Sequence, residues 1–184
     1  MIIVIRGTNG CGKSHTVREI LKQGRRIKAE LIEGSSLIRL PRVTRPVLIV
    51  GPYIPGRSMG GCDCIRRPSH IYALIDAALL KEWHVLLEGV VLATTPFLKY
   101  HATGIDVRMM LLDPPIAACR EQIDRRQKLK GHVSKLSERA MLAKQAKARD
   151  MYAQVRAAGM TAVRFDEAGS PVPARWVAYQ LRRA

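Results

Sequence analysis

MIIVIRGTNGCGKSHTVREILKQ, residues 1–23, decides the fold of this chain. Ile2 to Ile5 form a short β-branched run that, with Arg6, reads as a buried parallel strand. GTNGCGKS, Gly7 to Ser14, matches the pattern G-x-x-x-x-G-K-[ST] in full through Gly7, Gly12, Lys13 and Ser14. Lys13 to Gln23 reads as a helix stopped by Gly24. A strand, a glycine-rich loop and a helix in that order make a phosphate-binding loop. Its backbone N–H groups turn inward around phosphate oxygens, and the helix N-terminus directs its dipole to the same place. The pattern predicts a nucleoside triphosphate held by Thr8, Asn9, Gly10, Cys11, Gly12, Lys13, Ser14 and His15. Lys13 is expected to reach the β- and γ-phosphates, and the Ser14 hydroxyl to sit on Mg²⁺.

Outward from this unit, SLIRL and PVLIVG read as strands. Residues 51–68, GPYIPGRSMGGCDCIRRP, are rich in Gly and Pro and read as a long loop of the kind that often carries function. SHIYALIDAALLKEW reads as a helix with Ser69 as a candidate N-cap. HVLLEG and VRMMLLD read as strands ending at Glu88 and Asp113. The run from Pro115 to Gly159 is expected to be largely helical, with a break at Gly131. TAVRFD reads as a last strand and PARWVAYQLRRA as a closing helix. This alternation indicates an α/β fold with a mainly parallel sheet and helices on both faces. The length of 184 residues suits one domain spanning residues 1–184.

A second acid from a neighbouring strand end normally helps to hold Mg²⁺. Glu88, followed by Gly89, is the preferred candidate. Asp113 is the other, but Pro114 and Pro115 follow it, so it reads more readily as a helix N-cap. Asp63 lies in GGCD, where Gly60 and Gly61 permit close approach of a ligand. Such an acid could accept a proton from a substrate hydroxyl. It could also cap a helix or pair with Arg66 or Arg67. Arg57, Arg66 and Arg67 could grip acceptor phosphates or a nucleic-acid backbone, or stand solvated. Downstream, Arg120, Arg125 and Arg126 could close over a triphosphate as part of a lid. Lys135, Lys144 and Lys147 continue beyond it and could track a nucleic-acid backbone or form a solvated face.

Lys and Arg total 31 against 15 Asp and Glu, a net charge of +16, which favours a polyanionic partner such as DNA. Aromatic residues are only 5%, which counts against a single-strand binder built on stacking. The four cysteines, Cys11, Cys62, Cys64 and Cys119, have no CxxC spacing and no zinc pattern, so free thiols in a reducing cytoplasm are expected. The apolar N-terminal run is too short to span a membrane and lacks a signal-peptide layout, so a cytoplasmic protein without membrane contact is expected.

IRGTNGCGKS, VGPY, GGCD, LLEG, and LLDPP with a downstream RR together resemble a family of small P-loop kinases encoded by bacteriophages, over most of the chain. One branch of that family resembles 5-hydroxymethyluracil DNA kinases, which phosphorylate the hydroxymethyl group of a modified base in phage DNA. Other members are labelled deoxynucleoside monophosphate kinases. The resemblance implies a P-loop kinase-like fold with a helical lid over residues 120–135, and ATP and Mg²⁺ as cofactors. It implies ATP contacts at Gly10, Gly12, Lys13, Ser14 and Thr16, with Asp63 and Glu88 as the acids of the site. DNA is the implied partner, in the host cytoplasm if the chain is phage-encoded. Cys11 stands where Ser is common, and His15 where Thr is common. Three activities stay open at this point: a kinase of 5-hydroxymethyluracil in DNA, a deoxynucleoside monophosphate kinase, and an ATP-dependent DNA-binding module or small ATPase.

Overall fold

Strand β1 (Ile2–Arg6) is buried along its whole length because parallel neighbours flank it on both sides. These are β5 (His84–Glu88) and β6 (Val107–Leu112). The computed structural model describes residues 1–27, 34–54, 60–129, 131–167 and 170–184. Among them the sheet has seven strands in the order β2-β3-β4-β5-β1-β6-β7. β4 (Val47–Ile49) and β7 (Thr161–Phe165) extend the parallel part. β3 (Ser36–Arg39) and β2 (Arg25–Arg26) add an antiparallel edge. The chain leaves β1 towards the β2–β4 side and later crosses from β5 to β6 on the other side of β1. Such a reversal opens a crevice at the carboxyl ends of the central strands, where the phosphate loop begins.

The pleat divides the apolar residues between two faces. Ile2 and Val4 join Val85, Leu87, Val107 and Met109 in one core. α2 (Pro68–Leu80), α3 (Thr94–Ala102) and α5 (Glu138–Ala157) cover it through Ile75, Phe97 and Met151. Ile3 and Ile5 face the other core with Leu86, Met110 and Leu112. There α1 (Lys13–Gln23), α4 (Ile116–Lys128) and α6 (Val172–Arg182) supply Val17, Ile20, Ile123 and Val177. The expected α/β architecture, mainly parallel with helices on both faces, is the one observed.

Three local expectations change. Pro68 occupies the first turn of α2 and Arg67 is its N-cap, so Ser69 lies inside the helix. The expected break at Gly131 is a non-helical connector reaching Ser137, whose Oγ caps α5 by accepting from the Ala140 N–H at 3.2 Å. The lid region 120–135 is therefore helical only to Lys128, because Gly131 takes a φ of 69°. No described helix is long and apolar enough to cross a membrane.

Candidate functional site

The loop from Gly7 to Gly12 turns off β1 and is clamped from two sides. Gly10 has a φ of 82°, and a Cβ there would lie 2.3 Å from the Cys119 carbonyl oxygen of α4, so only glycine lets α4 pack this close. From α5, the Thr8 hydroxyl meets the Met141 carbonyl, donating at 2.8 Å, and Lys144 Nζ donates to Asn9 Oδ1 at 2.8 Å. Lys13 is buried, its Nζ donating to Thr8 O at 2.8 Å and Gly7 O at 3.0 Å. The Cys11 thiol is buried beside it, and burial raises its pKa.

Parallel pairing sets Ile5 level with Glu88, which brings the end of β5 beside the first turn of α1. Ser14 Oγ there donates to Glu88 Oε1 at 2.6 Å. The Tyr53 hydroxyl donates to the same oxygen at 3.4 Å. Burial pushes the Glu88 carboxyl above its ordinary value, opposed by the charge of Lys13 and the bond from Ser14. Gly61, at a φ of 71°, backs onto this carboxylate: a Cβ there would sit 2.8 Å from Glu88 Oε1. Gly61–Cys64 form a single 3₁₀ turn that carries Asp63. Asp63 Oδ1 accepts from the N–H groups of Val90 at 2.7 Å and Val91 at 3.2 Å, tying GGCD to the end of β5. Arg6 is buried under the same junction and donates from Nη1 to the Gly89 carbonyl, while its Nε has no hydrogen-bond partner among the described residues. Burial lowers the Arg6 pKa, and the Asp63 charge partly offsets this.

Lys13, Ser14, Asp63 and Glu88 thus line one cleft of about 650 Å³. Asn9, Gly10, Gly12, His15 and Gly60 line it too. Of the expected lid arginines only Arg126 reaches it. Arg120 donates from Nη1 to Leu136 O at 2.5 Å, and Arg125 pairs with Glu121 at 3.9 Å; both line an adjoining groove beside α4. Arg66 and Arg67 are exposed and outside the cleft lining, and Arg57 lies outside the described residues. Asp113 is neither an N-cap nor a cleft residue. It is buried at the end of β6 and ion-paired with Arg149 at 2.8 Å and Arg164 at 3.1 Å, while Pro115 precedes α4 as its N-cap. Lys144 points inward to Asn9 rather than outward along a lysine track. Arg18 and Tyr53 are neighbours that motif reading missed. Only their tertiary placement marks them, apart from the four-residue spacing of Ser14 and Arg18 on α1.

The donor set can be tested against the cofactors that the motifs imply. A hydroxyl and a carboxylate 2.6 Å apart are hard oxygen donors, and Mg²⁺ is usually held by one or two such groups together with phosphate oxygens. Among the described residues no group of three His, Cys, Asp or Glu could hold a metal by itself. The buried Lys13 amine at the helix start supplies the positive charge that a triphosphate requires. The residues present fit ATP with Mg²⁺.

No family model matches the chain. Over 139 residues it is 26% identical to a protein of Pseudomonas phage PaMx11 named 5-hmdU DNA kinase, the match covering 68% of each chain. Among solved structures, deoxyadenosine kinase from M. mycoides with bound dATP aligns over 98% of both chains, at 12% identity and a TM-score of 0.46. The resemblance to phage small P-loop kinases and the phosphotransferase class read from the motifs agree with the name of the phage relative.

Proposed function

We propose that the chain is an ATP-dependent kinase that phosphorylates the hydroxymethyl group of 5-hydroxymethyluracil in DNA, in the cytoplasm of a phage-infected host. The observation that carries the reading is the meeting of Ser14 and Glu88 beside the phosphate loop, with Asp63 in the same cleft. Bound ATP would supply the γ-phosphoryl group, and Mg²⁺ would offset the charge on its phosphates. Lys13 and the loop N–H groups bind the phosphates, and Ser14 and Glu88 hold the metal. Asp63 is then the cleft carboxylate left to accept the hydroxymethyl proton while that oxygen bonds to phosphorus and ADP leaves. Arg126 stabilises charge from the lid side.

Two observations support DNA as acceptor: the name of the phage relative and the charge of +16. The C5 substituent of a pyrimidine lies in the major groove, open to a basic protein. The experiment offers γ-labelled ATP with 5-hydroxymethyluracil DNA, thymine DNA of the same sequence, 5-hydroxymethyl-dUMP, or no acceptor. Label is expected on the hydroxymethyluracil DNA. Label confined to the monophosphate would make the protein a nucleotide kinase, and release of inorganic phosphate with no acceptor would make it an ATPase.

A further inference from the structure

We propose that Arg18 and Arg126 form a phosphate-binding site on the acceptor side of the cleft, which takes the 5′-phosphate of the nucleotide whose base is phosphorylated. The inference rests on the kinase reading above and adds to it how the acceptor is held.

Ser14 and Arg18 are four residues apart on α1 and share a face of the helix. Arg18 therefore lies about 6 Å further along the axis than Ser14. The donor phosphates belong at the loop and the first turn, where the unpaired N–H groups are. The Arg18 backbone is one helical turn away from them. The surroundings of Arg18 are those of the acceptor. Its charge acts on Tyr53, whose hydroxyl bonds Glu88, and Gly60 of the Asp63 turn lines the same cleft.

Arg126 enters from α4 and lines the cleft with Arg18. Its Nε donates to the Gln122 carbonyl of its own helix at 3.1 Å, which orients the guanidinium. Burial, and then the positive charge of Arg18, lower its pKa. Two guanidiniums that feel one another across a cleft repel, and an anion between them turns that repulsion into two charge-assisted contacts. Lys135 lines the same cleft and adds charge of the same sign. The other lid arginines have different surroundings: Arg120 and Arg125 line a groove shared with Glu121, Asp124 and Glu138, which disfavour a phosphate. The ligand chemistry is a phosphate ester on the 5′ side of the acceptor nucleoside. Its source is either a phosphodiester in DNA or a terminal monophosphate.

The test compares Arg18→Ala, Arg18→Lys and Arg126→Ala with the parent on three acceptors: 5-hydroxymethyldeoxyuridine, its 5′-monophosphate, and a short oligonucleotide carrying it. The alanine variants are expected to raise KM for the phosphate-bearing acceptors about tenfold or more. In Arg18→Ala, KM for ATP and turnover of the bare nucleoside stay near parental values. Arg18→Lys keeps the charge and recovers part of the loss. Whichever acceptor loses more identifies the source of the phosphate. A raised KM for ATP with unchanged acceptor KM values overturns the proposal. A second measurement does not depend on the reaction: binding of an unmodified oligothymidylate to the ADP-loaded protein. Each arginine removed should weaken it and reduce the slope of log K against log salt by about 0.7. If hydroxymethyluracil DNA is not labelled, the proposed function fails, yet binding that depends on Arg18 leaves this site standing. Binding insensitive to both arginines overturns it.

Discussion

Asp63 has two duties that one substitution separates. Its Oδ1 braces the GGCD turn to the end of β5 through the N–H groups of Val90 and Val91, and its carboxylate faces the cleft. Asparagine keeps a carbonyl oxygen for the brace and removes the base. Asp63→Asn is expected to lower kcat about 10²- to 10⁴-fold while ATP binding and the melting temperature stay close to parental. Asp63→Ala should lose stability as well, because two backbone donors lose their acceptor. Steady-state kinetics beside thermal unfolding separates the two effects. A nucleotide kinase without need of a base would show little change in Asp63→Asn. At this scale the sequence was informative where chemistry is tied to element ends. Ser14 opens a helix and Glu88 closes a strand, so their meeting follows from parallel pairing. Asp113 also closes a strand, but Arg149 and Arg164 neutralise it from positions 36 and more residues away, which no local pattern discloses.

β5 carries its chemistry at Glu88 and a different problem at its other end. His84 is buried there, and neither ring nitrogen has a hydrogen-bond partner among the described residues. Its pKa falls to about 4, chiefly through burial, helped by the Met1 amine, Arg45 and Arg108 and opposed by Asp106. Between its ordinary pKa of 6.5 and about 4, the unfolded chain binds a proton that the folded chain refuses. This contribution to stability is therefore full above pH 6.5, lost as pH falls towards 4, and level below that. His84→Leu is expected to flatten the fall, as urea unfolding of both proteins at pH 7.5 and pH 5 would read. An equal fall in both would reject it. Elements with strong patterns were legible: β1, β5 and β6 as β-branched or apolar runs, and α1 between Gly12 and Gly24. α3 was not, because Pro96 sits in its first turn and only Phe97 is fully buried. β2 was not either: two exposed arginines have no apolar alternation and pair only because β3 runs alongside.

The whole molecule uses part of its 31 Lys and Arg internally. Arg149 and Arg164 neutralise Asp113, Arg108 pairs with Asp106, and Lys144 serves the phosphate loop. A count of cations therefore overstates the charge offered to a polyanion. Lys144→Ala is expected to leave the salt slope of DNA binding unchanged and to weaken ATP binding instead. Titrations of a duplex and of ATP at several salt concentrations would check both, and a slope reduced by about 0.9 would mean that Lys144 contacts DNA phosphate.

The clamp of α5 on the phosphate loop also sets an order of events in time. The loop motif is complete at Ser14, but two of its supports, the Met141 carbonyl and the Lys144 amine, are separated from their partners by 133 and 135 residues. A chain grows at about 5–20 residues per second. During synthesis the first nucleotide-binding residues made must wait for most of the chain before they acquire their working shape.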